Sequence, residues 1–298
     1  MARRREPRGC VPYHRASPIA PPAVSLHDAL VALVLGLVEG ITEFIPVSSS
    51  GHLVVATEAL GLHADDPKMV AFNIVIQLAA ILAVVWVYRK KILDLLRRLP
   101  SDPVAQRFAA AVIVATLPAA LIGLKYDDWI EAHLFSPRTV ALALIVGGVG
   151  ILLVERFAAT RRHRVPEMED IRLGDAFKVG LAQCLSLFPG VSRSGATIMG
   201  GMGFGLSRRA ATEFSFFLAI PVMVGASALK LVKEREALAV SDAPFFALGC
   251  LVAFVSALVV VRFLIRFVAT NSFNGFAWYR IAVGAVLLGL IAAGWLPG

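Results

Sequence analysis

The sequence predicts an all-α polytopic membrane protein made of two inverted repeats, with six transmembrane helices plus two re-entrant helical hairpins. Three observations carry that expectation. Of 298 residues, 58% are hydrophobic and 17% charged, and the mean hydropathy is +0.75, so the chain's main solvent is hydrocarbon. Six apolar stretches each reach about 20 residues, enough to cross a hydrocarbon core of about 30 Å. Four shorter apolar segments are split pairwise by two polar motifs, EGITEFIPVSSSGH at 39–52 and FPGVSRSGAT at 188–197.

In chain order, the apolar segment 25–38 runs into Glu39, and the segment 45–62 contains the break at Pro46. Spans follow at 69–88, 104–124 and 137–157. The pattern then restarts, with segments 174–188 and 191–205 on either side of Pro189-Gly190, and spans at 209–231, 244–267 and 275–296. The four short segments are under 20 residues and read as half-helices of re-entrant hairpins. Non-helical backbone at that depth survives only inside protein or beside a water-filled cavity, so the two breaks predict a polar pocket.

The halves resemble each other at the motif. Val47-Ser48-Ser49-Ser50-Gly51-His52 aligns with Val191-Ser192-Arg193-Ser194-Gly195-Ala196, and three spans follow each unit. An odd number of crossings turns a duplicated unit over, which predicts inverted repeats whose broken helices meet near the midplane. The expected division is a leader at 1–23 and one membrane domain at 24–298, with repeats at about 24–158 and 174–298. The leader is rich in Arg and Pro and reads as a disordered tail. Arg3, Arg4, Arg5, Arg8 and Arg15 would lie on the outer side if the first hairpin is re-entrant, against the positive-inside rule, and a start at Val24 would remove that conflict.

Charge gives the orientation. Arg89, Lys90, Lys91, Arg97, Arg98 and Arg107, and then Arg161, Arg162 and Arg164, mark cytoplasmic loops by the positive-inside rule, whereas Asp65-Asp66 and Asp127-Asp128 mark the opposite side. The first hairpin then opens outward and the second inward. The net charge of +8 is absorbed by topology and anionic lipid, and no nucleic-acid motif accompanies it. Cys10, Cys184 and Cys250 lack metal or redox spacing and read as core residues.

Ionisable residues at bilayer depth are costly and therefore functional candidates. Glu39 and Glu43 at i and i+4 share one helix face, and their repulsion suits either a divalent cation or general acid/base work. Ser48, Ser49, Ser50 and Gly51 open a new helix, whose hydroxyls and backbone N–H groups form an anion cradle. His52 lies in its first turn, where Glu39 or Glu43 is expected to orient it as nucleophile or general acid. Arg193 adds a planar cationic fork matched to phosphate oxygens, and Ser192, Ser194 and Gly195 repeat the cradle around it. Together these groups point to a phosphorylated substrate, and a pocket that opens into lipid suits one with a hydrophobic tail.

These motifs, EGITEFIPVSSSGHL with FNIVIQLAAILAVV and PGVSRSGATIMGGMGFGLSRRAATEFSFFLAIP, resemble the undecaprenyl-diphosphate phosphatase family, the bacitracin-resistance phosphatases of bacterial inner membranes. The likeness runs from about Ser25 to the C-terminus. It implies hydrolysis of undecaprenyl diphosphate to undecaprenyl phosphate and inorganic phosphate, which recycles the lipid carrier for peptidoglycan, with Mg2+ or Ca2+ as cofactor. It places the catalytic set on Glu39, Glu43, Ser49, His52 and Arg193. Phosphate binding falls on Ser48, Ser49, Ser50, Gly51, Ser192, Arg193, Ser194 and Gly195, and metal binding on Glu39 and Glu43. Ser50 stands where the family usually has threonine, which keeps the hydroxyl.

The partners expected are a long-chain polyprenyl diphosphate lipid and the membrane, with no nucleic acid; a homodimer is among the assemblies open to it. The nucleophile stays open between His52, a serine and water. A polyprenyl-phosphate transporter or flippase would share the scaffold. A different class of membrane phosphatase carries a superficially similar Pro-Ser-Gly-His element, but requires a histidine after its Ser-Arg, and none follows Ser192-Arg193 here.

Overall fold

The structure, a computed structural model, describes residues 25–134, 136–160, 162–235 and 239–294. The leader at 1–23 and the start expected at Val24 lie outside the described residues. Among the described residues ten α-helices follow in order: α1 (Leu26–Thr42), α2 (Ser49–Ala59), α3 (Pro67–Arg98), α4 (Pro103–Leu134), α5 (Pro137–Ala159), α6 (Leu173–Gln183), α7 (Arg193–Gly203), α8 (Arg208–Lys233), α9 (Ala243–Phe267) and α10 (Asn274–Ala292). Two short helices and three long ones thus occur twice. Among the described residues, six helical segments are long and apolar enough to cross a membrane, as a multi-pass membrane protein requires. They correspond to the six expected spans.

Local signals set the helix starts. Ser25, Asp66, Ser136, Ser192 and Ser207 each accept a backbone N–H of the first turn, and Pro67 and Pro137 occupy the first helical position, where no amide hydrogen is needed. Pro118 and Pro221 lie inside α4 and α8, an arrangement transmembrane helices tolerate.

Packing crosses between the halves: α1 lies on α9, α6 lies on α4, and α5 pairs with α10. Small residues allow these approaches. A Cβ on Gly40 would sit 2.0 Å from Ser256 Oγ, one on Gly180 2.6 Å from the Ala115 carbonyl, and one on Gly148 2.7 Å from the Ala277 carbonyl. The core is aromatic where the first polar motif meets α8: Phe44 is fully buried and meets Phe216 edge-on with centroids 5.7 Å apart. Val146, Leu153, Leu251, Val259 and Val286 face outward on α5, α9 and α10, as a lipid-facing surface requires.

The basic loops gather at one end. Lys91 on α3 reaches Glu169 at 2.5 Å and Glu213 on α8 at 3.5 Å, Arg209 pairs with Glu213 at 3.0 Å, and Arg107 on α4 donates to the Glu169 carbonyl. Partial burial would raise the Glu169 carboxyl, but the Lys91 ammonium beside it holds it below the usual range. At the other end Lys233 meets Asp127 and Asp128, and Lys68 meets Asp242.

Candidate active site

Two chain breaks meet in the interior. The first follows α1, which carries Glu39 on its buried face and is capped at its C-terminus by the buried Glu43, and ends where α2 begins at Ser49. The second joins α6 to α7 through a short 3₁₀ turn, Cys184–Leu187, and Pro189-Gly190. Their centre is an ion pair 150 residues apart in sequence, in which Arg193 Nη2 donates to Glu43 Oε1 at 2.8 Å. Ser49 Oγ donates to the other oxygen, Oε2, at 2.5 Å. Arg193 Nη1 also donates to the Ser215 carbonyl at 3.2 Å, and Nη2 lies 3.1 Å from Met223 Sδ, while Nε is buried with no partner among the described residues.

The two helix starts differ in a way their similar sequences do not announce. Ser192 caps α7 ordinarily, with Oγ accepting the Gly195 N–H at 3.1 Å. Ser194 is fully buried and turns toward the first motif, donating to the carbonyls of Glu43 and Ile45 at 3.2 and 3.1 Å. The Ser194 hydroxyl thus joins the two breaks. Ser48 instead has φ 74°, a left-handed conformation unusual for a residue with a side chain, and makes no side-chain cap. Its hydroxyl lies 3.4 Å from that of Ser50, which is exposed. The start of α2 therefore retains backbone donors that Ser48 does not cap.

His52 does not join the carboxylates. Its Nδ1 lies 2.7 Å from the Ser48 carbonyl and its Nε2 2.8 Å from the Tyr279 hydroxyl. The expectation that Glu39 or Glu43 orients it is thus not matched by its hydrogen bonds. Glu39 is 1% exposed, and both its carboxylate oxygens lack a partner among the described residues.

Arg280 on α10 was not among the sequence candidates. It is 2% exposed and donates to four carbonyls: Nη1 to Pro46 at 3.0 Å, Nη2 to Ala143 at 3.1 Å and Gly190 at 3.2 Å, and Nε to Leu144 at 3.3 Å. One side chain so ties both breaks to α5. Gly147 makes the room, since a Cβ there would lie 2.2 Å from Arg280 Nη2. The overlooked signal was simple: an arginine inside an expected span is costly enough to be a candidate by itself.

Gly190 has φ +84°, and a Cβ on it would lie 2.8 Å from Val140 Cα and from its carbonyl oxygen. Gly190→Ala therefore adds a backbone clash to a left-handed strain of about 1–3 kcal/mol. Gly61 has a similar φ of +75° with nothing within 4 Å of a Cβ. In thermal unfolding of the detergent-solubilised protein, Gly190→Ala is expected to lower the midpoint clearly more than Gly61→Ala; equal losses would show that the close approach to α5 carries no weight.

A family model described as "Bacitracin resistance protein BacA" matches residues 32–286 of this chain. The chain is similar to "Undecaprenyl-diphosphatase 1" of Burkholderia ambifaria, 54% identical over 89% of this chain and 96% of the relative. It is also similar to "Undecaprenyl-diphosphatase" of Ralstonia nicotianae, 51% identical over 87% of this chain and 94% of the relative. The family match spans both polar breaks. The chain belongs to the bacitracin resistance protein BacA family.

Proposed function

We propose that this protein hydrolyses undecaprenyl diphosphate to undecaprenyl phosphate and inorganic phosphate, recycling the lipid carrier for cell-envelope synthesis and conferring bacitracin resistance. The observation that carries the reading in the structure is the Arg193–Glu43 pair, which joins a phosphate-matched cation to a carboxylate across the two motifs at 2.8 Å. The Glu43 carboxylate lies in the fork, where a diphosphate would compete with it. Arg193 would bind the phosphoryl oxygens, with the hydroxyls of Ser49 and Ser50 and the uncapped N–H groups of α2 as further donors. Stabilising charge in this way supplies most of the rate in phosphoryl transfer.

The carboxylates fit a hard divalent cation. Both oxygens of Glu39 are buried without a partner among the described residues, a costly state that a cation relieves, and oxygen donors are what Mg2+ and Ca2+ take. Glu39 would hold the ion, joined by Glu43 once substrate draws Arg193 away. When bound, the ion neutralises diphosphate charge.

The setting proposed is the bacterial inner membrane, with two inverted repeats whose re-entrant hairpins, α1–α2 and α6–α7, meet at depth and whose site opens to the extracytoplasmic side. The exchange of packing partners between halves and the clustering of basic loops at one end support this arrangement. The test is phosphate release from a long-chain polyprenyl diphosphate by purified protein in detergent. Wild type is expected to release phosphate, a chelator to suppress it, and Glu43→Ala to lower it by about 10²-fold or more. A wild type that releases none would overturn the reading, and transport alone would release none.

A further inference from the structure

We propose that Tyr279 is a positioning residue for His52, fixing the imidazole in the tautomer whose reactive nitrogen is Nε2. The inference rests on the hydrolase reading above and adds to it which histidine atom is available and what holds it. A carbonyl oxygen can only accept, so Nδ1, at 2.7 Å from the Ser48 carbonyl, carries the hydrogen. The lone pair of the neutral ring is then on Nε2, 2.8 Å from the Tyr279 hydroxyl. A hydroxyl both donates and accepts. It donates to Nε2 in the neutral ring and accepts from Nε2–H in the imidazolium, so the ring keeps its place in either charge state.

Both anchors are built into the backbone. The left-handed φ of 74° at Ser48 belongs to the residue whose carbonyl receives both the His52 amide and Nδ1. Strain of this kind persists only where the surroundings enforce it. On the other side, Tyr279 is delivered by α10, whose next residue is Arg280, bonded to the carbonyls of Pro46 and Gly190. The phenol therefore has a fixed register against both breaks. Its ring lies nearly parallel to the imidazole, at 10° with centroids 5.6 Å apart, and is 46% exposed where Arg280 is buried. With Nδ1 tied to the backbone, any chemistry at His52, whether attack or proton transfer, runs through Nε2.

Tyr279→Phe removes the hydroxyl and keeps the ring. The first readout is independent of activity: nitrogen NMR of 15N-histidine-labelled full-length protein in detergent, with the His52 signals identified by their loss in His52→Gln. Wild type is expected to show the Nδ1–H tautomer with Nε2 hydrogen-bonded, and Tyr279→Phe to lose the Nε2 hydrogen-bond shift or to mix tautomers. An Nε2–H tautomer in wild type, or unchanged signals in Tyr279→Phe, would overturn the proposal.

The second readout is kinetic. Tyr279→Phe is expected to lower kcat by about tenfold to a hundredfold with KM within about twofold, and to cause no further loss in the His52→Gln background. A role in packing alone would lower activity by the same factor in both backgrounds, and that result would also overturn it. If wild type releases no phosphate, the hydrolase reading fails, while the tautomer measurement still decides the placement of Tyr279.

Discussion

Arg193→Ala is expected to lower kcat/KM for polyprenyl diphosphate hydrolysis by about 10³-fold or more, because it removes the charged fork of the anion site. The same change removes the partner of Glu43, whose side chain is 5% exposed, and leaves a buried carboxylate supported by Ser49. Breaking a buried pair from one side costs about 3–5 kcal/mol, so lost stability and lost chemistry arrive together. A second variant separates them. Arg193→Gln/Glu43→Gln removes both charges of the pair together, so the thermal midpoint should recover much of the loss seen in Arg193→Ala while phosphate release stays low. Recovery of turnover along with stability would mean that the pair is architectural, and Arg193 would lose its role as the phosphate ligand. Arg193→Lys keeps the charge but not the two-pronged geometry, and belongs between wild type and alanine.

The spans were legible because a run of apolar residues long enough for the bilayer has few other uses, and the expected 137–157 became Pro137–Ala159. Helix ends were less so. The stretch expected at 69–88 continues to Arg98, because Arg89 to Arg98 favours helix as strongly as the span does, and hydropathy reports the solvent rather than the backbone. Likewise α4 passes 124 to Leu134, and Asp127 and Asp128 are matched there by Lys233 from α8. In the site, Glu43, Ser49 and Arg193 were visible as polar residues at chain breaks, and the structure joins them. The surroundings of His52 were not, since its hydroxyl partner comes from a helix 227 residues away. Nor could the motif alignment distinguish Ser48 from Ser192, because that difference is a backbone angle imposed by what surrounds each turn.

Arg280→Ala is expected to cost the most of any single change in the fold. Four carbonyls, of Pro46, Ala143, Leu144 and Gly190, lose a charged donor at once in a place water does not reach. Ala143 and Leu144 keep their helical bonds within α5, whereas the carbonyls of Pro46 and Gly190 are left as unsatisfied buried acceptors at about 1–3 kcal/mol each, a large fraction of the stability of a typical domain. The variant should accumulate poorly in membranes or elute as aggregate in detergent, and normal yield with a normal thermal midpoint would refute the argument. Arg280 also has a role that packing does not explain. Among the described residues it has no carboxylate partner, and its charge is held by neutral carbonyl dipoles. A Cβ on Gly195, in the first turn of α7, would lie 3.4 Å from its Nη1. An uncompensated positive charge beneath that helix start favours an anion at the site. Arg280→Gln, which keeps some donors and discards the charge, should therefore weaken binding of the diphosphate lipid more than it lowers the thermal midpoint relative to Arg280→Ala. The comparison of KM with unfolding temperature across the two variants separates the guanidinium's electrostatic role from its role as a tie.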